Sequence, residues 1–101
     1  MRKVNVFQQG LLAGKLEEQA RGHYSFTYEP SYTGEPVSLT LPVRDAAYEF
    51  DRFPPVFEGL LPEGRLLEAL LRQQKIDRGD LLTQLLLVGG DVVGSLTLEA
   101  A

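Results

Sequence analysis

One histidine and no cysteine leave this sequence few means of catalysis. Nucleophilic catalysis needs a serine, threonine or cysteine beside a base. His23 stands directly before Tyr24 in an alternating segment, on the face opposite the aromatic residues. It reads either as a general base or metal ligand, or as a surface strand histidine, the plainer of the two. A single imidazole with no second ligand nearby in sequence holds a metal weakly. Glu17 and Glu18 are adjacent and point to opposite faces of a strand, so they form no carboxylate pair. Glu58 and Glu63 approach across a proline break, a pairing that suits general acid/base work. The plainer reading, a solvated helix face plus a first-turn acid, is the favoured one. Gly89-Gly90-Asp91-Val92-Val93-Gly94 has the glycines of a phosphate loop in the wrong order. Phosphate loops run from strand through glycine to helix, so that helix N-terminal N–H groups meet the anion. Here a helix comes first and a strand follows. The chain also lacks a kinase catalytic loop and a serine elbow. These patterns predict a protein that is not an enzyme, with no cofactor and no metal.

One segment remains unexplained by folding alone. Phe57-Glu58-Gly59-Leu60-Leu61-Pro62-Glu63-Gly64-Arg65 is an apolar turn of helix broken by a Pro-x-Gly corner with charged residues at its tip. It either reverses the chain between two helices or serves as a recognition corner. Proline lowers the entropy lost on binding, and Arg65 supplies a multidentate donor.

The surrounding patterns state what holds this corner. Val4 and Val6 alternate with Lys3 and Asn5, then Gln9-Gly10 turns into a second strand over 11–17. Leu12, Gly14 and Leu16 are expected on one face of that strand. Tyr24, Phe26 and Tyr28 share a face of a third. Residues 29–36 are a loop by their proline and glycine content. Val37, Leu39, Leu41 and Val43 alternate with polar residues and predict a fourth, half-buried strand. Residues 44–52 carry no pattern. After Phe53-Pro54-Pro55 the period becomes helical, proline suiting a first helical turn. A short helix, the break, and a longer helix ending near Lys75 follow. Asp77 is the expected cap of a further helix through Leu86, which Gly89-Gly90 ends. Val92 to Leu98 is expected as the last strand. Eleven of the 18 leucines lie between residues 60 and 87, so the helices are expected to supply much of the core. The sum is an α+β fold: a small antiparallel sheet with two to three helices inserted before the last strand.

Composition agrees with one domain over residues 1–101. Hydrophobic residues make up 44% and charged residues 24%, ordinary for a globular domain. A net charge of −4 argues against direct nucleic-acid binding, which wants a basic face for phosphates. No apolar run approaches the ~20 residues of a membrane span. The amino terminus has charge but no signal-peptide core. The expected compartment is the cytoplasm.

The corner also carries a family resemblance. Phe57 through Arg65 resembles the F-x-x-L-L-P-E-G signature of the small amino-terminal subdomain of HipA-type serine/threonine kinase toxins. Val4-Asn5-Val6, Gly10 and Gly14-Lys15-Leu16 resemble that subdomain's opening hairpin. Tyr24-Ser25-Phe26-Thr27-Tyr28 resembles its aromatic strand, and Ser38-Leu39-Thr40-Leu41-Pro42 its L-S-x-x-L-P strand. Leu87 to Leu96 resembles its closing glycine turn and strand. The five pieces keep their order over essentially the whole chain.

The full-length kinases continue into a catalytic region, whereas this sequence stops at Ala101. A free-standing subdomain resembles HipS, the small member of tripartite HipB–HipS–HipT toxin–antitoxin systems. The resemblance then implies a non-catalytic antitoxin that binds and neutralises a HipT-type kinase, with a HipB-type DNA-binding protein as a further partner. It implies a partner-binding site at Phe57, Leu61, Pro62, Glu63, Gly64 and Arg65. Some HipS-type proteins are thought to obstruct the kinase site with a bulky aromatic near this corner. This chain has no tryptophan, which leaves Arg65, Phe53 or Phe57 for that part. The alternative is a subdomain that braces a HipA-type kinase and contacts its HipB-type partner.

Overall fold

The computed structural model describes residues 2–20, 22–61, 63–89 and 95–101. Five antiparallel strands, β1 (Lys3–Gln8), β2 (Leu11–Ala20), β3 (His23–Tyr28), β4 (Tyr48–Phe50) and β5 (Leu96–Ala100), form one sheet. Their order is β4-β3-β2-β1-β5. Helices α1 (Pro55–Glu58), α2 (Gly64–Gln74) and α3 (Leu81–Val88) lie between β4 and β5 in sequence. This is the expected α+β architecture.

Register explains the core. Ala100, Val4, Leu16, Phe26 and Tyr48 form one row across all five strands. Leu98, Val6, Gly14 and Tyr28 form the next. Phe57, Leu82 and Leu85 close over these rows from the helices. Gly14 is required by the crowding. A Cβ there would stand 2.4 Å from the Thr27 carbonyl oxygen and 2.9 Å from the Phe26 ring.

Leu12 leaves the face it was expected to share with Gly14 and Leu16. The β1–β2 register shifts between Val6 and Phe7, so that Val6 pairs with Gly14 and Phe7 with Leu12. Ala13 is the extra residue of this bulge and is buried in Leu12's place.

The strand expected over 37–43 does not form. Ser38 and Leu41 make an isolated bridge, and Leu41 N–H donates to the Ser38 carbonyl at 3.1 Å, closing a tight turn. Val37 and Leu41 are buried, but Leu39 between them is 99% exposed. The alternation there therefore comes from a turn with two anchors. Tyr28 holds both: its hydroxyl donates to the Leu41 carbonyl and accepts from Val37 N–H at 3.0 Å. The fourth strand is instead Tyr48–Phe50, inside the stretch without a pattern.

Two helical expectations also change. Asp80, rather than Asp77, caps α3, accepting from Thr83 N–H at 3.3 Å. Asp77 accepts from Gly79 N–H at 3.1 Å and shapes the preceding turn. Of the eleven leucines between 60 and 87, only Leu82 and Leu85 are buried. The strands, the loop residues Tyr32, Val37, Leu41 and Phe53, Phe57 and α3 supply the core, and α2 buries no residue. The last strand is described over Leu96–Ala100, and residues 92–94 of that expectation lie outside the described residues.

Candidate functional site

The corner is built on two aromatic anchors. Phe53 meets Tyr24 edge-on with ring centroids 5.2 Å apart, and Phe57 packs on Phe26 at 5.8 Å. Pro54 precedes α1 in an extended conformation, and Pro55 opens the helix where no backbone donor is needed. After Glu58 the chain keeps turning, with Leu60 N–H on the Phe57 carbonyl and Leu61 N–H on the Glu58 carbonyl, both 3.1 Å. These i→i+3 bonds tighten the last turn and carry Leu61 back over the helix end.

Glu63 is extended and stands at the cap position of α2 with no side-chain cap bond. Gly64 follows with φ of +59°, a left-handed conformation that glycine adopts freely. α2 then presents Leu66, Leu67, Leu70 and Leu71 at helical spacing. None of these belongs to the core cluster or packs on its margin. Leu66 is 69% exposed. No other helix or strand packs broadly against α2 among the described residues, whereas α1 meets α3 and α3 meets β5. An amphipathic helix normally gains its stability by burying its apolar face. Here Leu67, Leu70 and Leu71 are only half-buried and Leu66 is exposed, so no residue of the face is fully covered.

Between α1, α2 and α3 runs a groove of about 400 Å³. Leu61, Leu67 and Leu81 make its apolar part, and Glu58, Glu63, Arg78 and Gln84 supply the polar groups. Arg78 is engaged by Glu68 at 2.6 Å. Neither Glu58 nor Glu63 has an ion-pair partner among the described residues.

The residues expected at the site separate into three groups. Leu61 and Glu63 line the groove, and Glu63, Gly64 and Arg65 are exposed at the start of α2. Phe57 is 0% exposed, so it positions the corner from inside the core. Phe53 is buried too, which leaves Arg65 alone of the three candidates for an obstructing side chain at the surface. Pro62 lies outside the described residues. Glu58 and Glu63 do face one groove, but His23 does not line it. His23 is exposed and stands 3.7 Å from Asp51. No group of three or more metal-ligating side chains occurs among the described residues.

Sequence reasoning missed Gln84 and the clasp at the start of α3. Gln84 is a lone amide in an apolar helical run, and that contrast was the available signal. The clasp is formed by Arg2, whose Nε and Nη2 each donate to Glu18 at 2.9 Å. Its Nη1 donates to Asp80 at 3.0 Å and to the Thr83 hydroxyl at 3.0 Å. The hydrogen bond from Arg2 holds the Glu18 carboxyl below its ordinary range. Burial pushes Asp80 upward, but Thr83 and Arg2 outweigh it and the net shift is downward. A second groove of about 420 Å³ opens beside this clasp, and Arg2 itself lies in its wall.

Comparison with known proteins places these features in a family. The profile described as HipA N-terminal domain matches residues 4–99. A protein of uncharacterised function from Haemophilus influenzae is 34% identical over 99 residues, covering 98% of this chain and 92% of that one. A Sinorhizobium fredii protein provisionally named kinase Y4mE is 28% identical, and this chain spans 24% of its length. The solved N-terminal domain of HipA toxin superposes with a TM-score of 0.79 at 33% identity, covering 100% of this chain and 93% of that one. A chain of the Shewanella oneidensis complex of HipA, HipB and operator DNA shares the fold, with a TM-score of 0.71 at 20% identity. Of that chain 23% is covered.

Proposed function

The chain belongs to the HipA N-terminal domain family, and on that premise we propose that it is a non-catalytic antitoxin that binds and neutralises a HipT-type serine/threonine kinase. Family membership supports a role tied to toxin–antitoxin systems. The observation that carries the finer reading is α2, an amphipathic helix that begins at the charged corner and buries none of its residues. A helix whose leucine stripe is left half-exposed fits a chain whose partner completes its packing. The H. influenzae relative, covered over 92% of its length, supports the small stand-alone form.

In this reading the contact is made by Leu61, Glu63, Gly64 and Arg65, with Pro62 between them and Phe57 holding them from below. A HipB-type DNA-binding protein completes a ternary complex in the cytoplasm. No helix among the described residues is long and apolar enough to cross a membrane.

A second reading takes support from Y4mE, of which this chain spans 24%. In this second reading the domain braces a HipA-type kinase and contacts its HipB-type partner. Co-expression separates the two. Induction of the HipT-type kinase alone should arrest growth, and co-expression of this chain should restore it if it is an antitoxin. Arrest that persists with both proteins present at equal levels points to the bracing role.

A further inference from the structure

The groove between α1, α2 and α3 has a chemistry of its own. Apart from Arg78, its polar side chains offer acceptors. Glu58 and Glu63 are carboxylates without an ion-pair partner among the described residues. Gln84 is only 1% exposed, and its Nε2 donates to the Asp77 carbonyl at 3.3 Å and the Arg78 carbonyl at 2.9 Å. Only the amide nitrogen can donate to two carbonyls, so the orientation of this side chain is fixed. Its Oε1 accepts no hydrogen bond among the described residues, and Gln84 lines the groove. The cation on the wall among the described residues, Arg78, is 63% exposed and turns its Nη2 to Glu68 at 2.6 Å. Leu61, Leu67 and Leu81 offer an apolar surface beside these acceptors.

An occupant must therefore bring donors, positive charge and an aliphatic stem. An anion or a purely apolar side chain leaves the carboxylates and the Gln84 oxygen desolvated without return. We infer that this groove receives a basic side chain, arginine or lysine, from the surface of the partner kinase. Its methylenes lie on the three leucines while its head reaches Glu58, Glu63 and Gln84. The partner's identity as a kinase rests on the function proposed above; the cationic chemistry of the groove does not. The chain's net charge of −4 favours the approach of such a basic surface.

The test uses N-acetyl-arginine amide as the probe and N-acetyl-citrulline amide as its uncharged counterpart, followed by NMR on the full chain. Saturable shifts of the Gln84 side-chain amide and of the Glu58 and Glu63 backbone amides are expected with arginine. Citrulline should bind roughly tenfold more weakly, because charge assistance is lost. The exposed double variant Glu58→Gln, Glu63→Gln should lose the response while keeping its fold. Equal shifts with both probes, or none with arginine, overturn the assignment. Against the HipT-type kinase, the double variant should bind about tenfold more weakly than the wild type. Unchanged affinity rules this groove out of the kinase interface. If the wild type itself does not bind the kinase, the antitoxin reading falls, while the arginine titration still decides the groove.

Discussion

Arg2 and Asp80 are 78 positions apart in sequence, yet the guanidinium donates to the carboxylate at 3.0 Å. The same guanidinium grips Glu18 through two further bonds of 2.9 Å, so one side chain ties β2 to the first turn of α3. Asp80 also caps α3, accepting from Thr83 N–H and, at 2.6 Å, from the Thr83 hydroxyl. Since α3 contributes Leu81 and Gln84 to the groove, this clasp sets where one groove wall stands.

Arg2→Ala should cost about 1 kcal/mol at neutral pH, the scale of a small, partly exposed ion-pair network. For a domain of this size that lowers the melting temperature by roughly 4–8 °C. The deficit should depend on pH. Both carboxyls are held below their ordinary values, 4.5 for Glu18 and 3.8 for Asp80, so their contribution is complete above those values. It is lost as pH falls through the depressed folded-state values. Melting curves of wild type and variant should therefore differ at pH 7 and converge in acid below those ordinary values.

Gly14→Ala and Gly59→Ala should separate sharply in a denaturant titration. At Gly14 the added Cβ meets the Thr27 backbone oxygen at 2.4 Å, which forces β2 and β3 apart. Overpacking of this kind costs about 1–3 kcal/mol. At Gly59 the nearest atom is 3.7 Å away and φ is −64°, which alanine adopts without strain. Gly59→Ala should be neutral or slightly stabilising through the unfolded chain.

The leucines of α2 and α3 should behave oppositely. Leu85 is fully buried, and Leu85→Ala should cost about 2–5 kcal/mol. Leu66 is 69% exposed, and Leu66→Glu should change stability by less than about 0.5 kcal/mol. Its effect should appear instead as weaker binding to the kinase, read by calorimetry.

These contrasts show where the sequence was readable. Tyr24, Phe26 and Tyr28 alternate because one face of β3 is buried, although Ser25 between them is buried too, under the Gln19 amide that donates to its hydroxyl. Tyr48–Phe50 spans three residues, too few to display a period, and among the described residues it pairs with β3 alone, at the sheet edge. The alternation from Val37 to Val43 misled because a tight turn held by Tyr28 also buries Val37 and Leu41. In α2 the helical stripe was legible, but periodicity names a face without naming what covers it. The corner's charged tip was readable from Pro62-Glu63-Gly64-Arg65. The groove beside it was not, because Arg78, Leu81 and Gln84 join it only through the fold.

Arg65→Ala and Glu63→Ala should weaken kinase binding while leaving thermal unfolding nearly unchanged, since both side chains are exposed. A fall in melting temperature comparable to that of Leu85→Ala would mean that the corner serves folding.

The most direct measurement is autophosphorylation of the HipT-type kinase titrated with this protein. The antitoxin account predicts that activity falls to near zero at about one equivalent. Activity unchanged at saturating, demonstrated binding would contradict it and make the chain a scaffold joining the kinase to another partner.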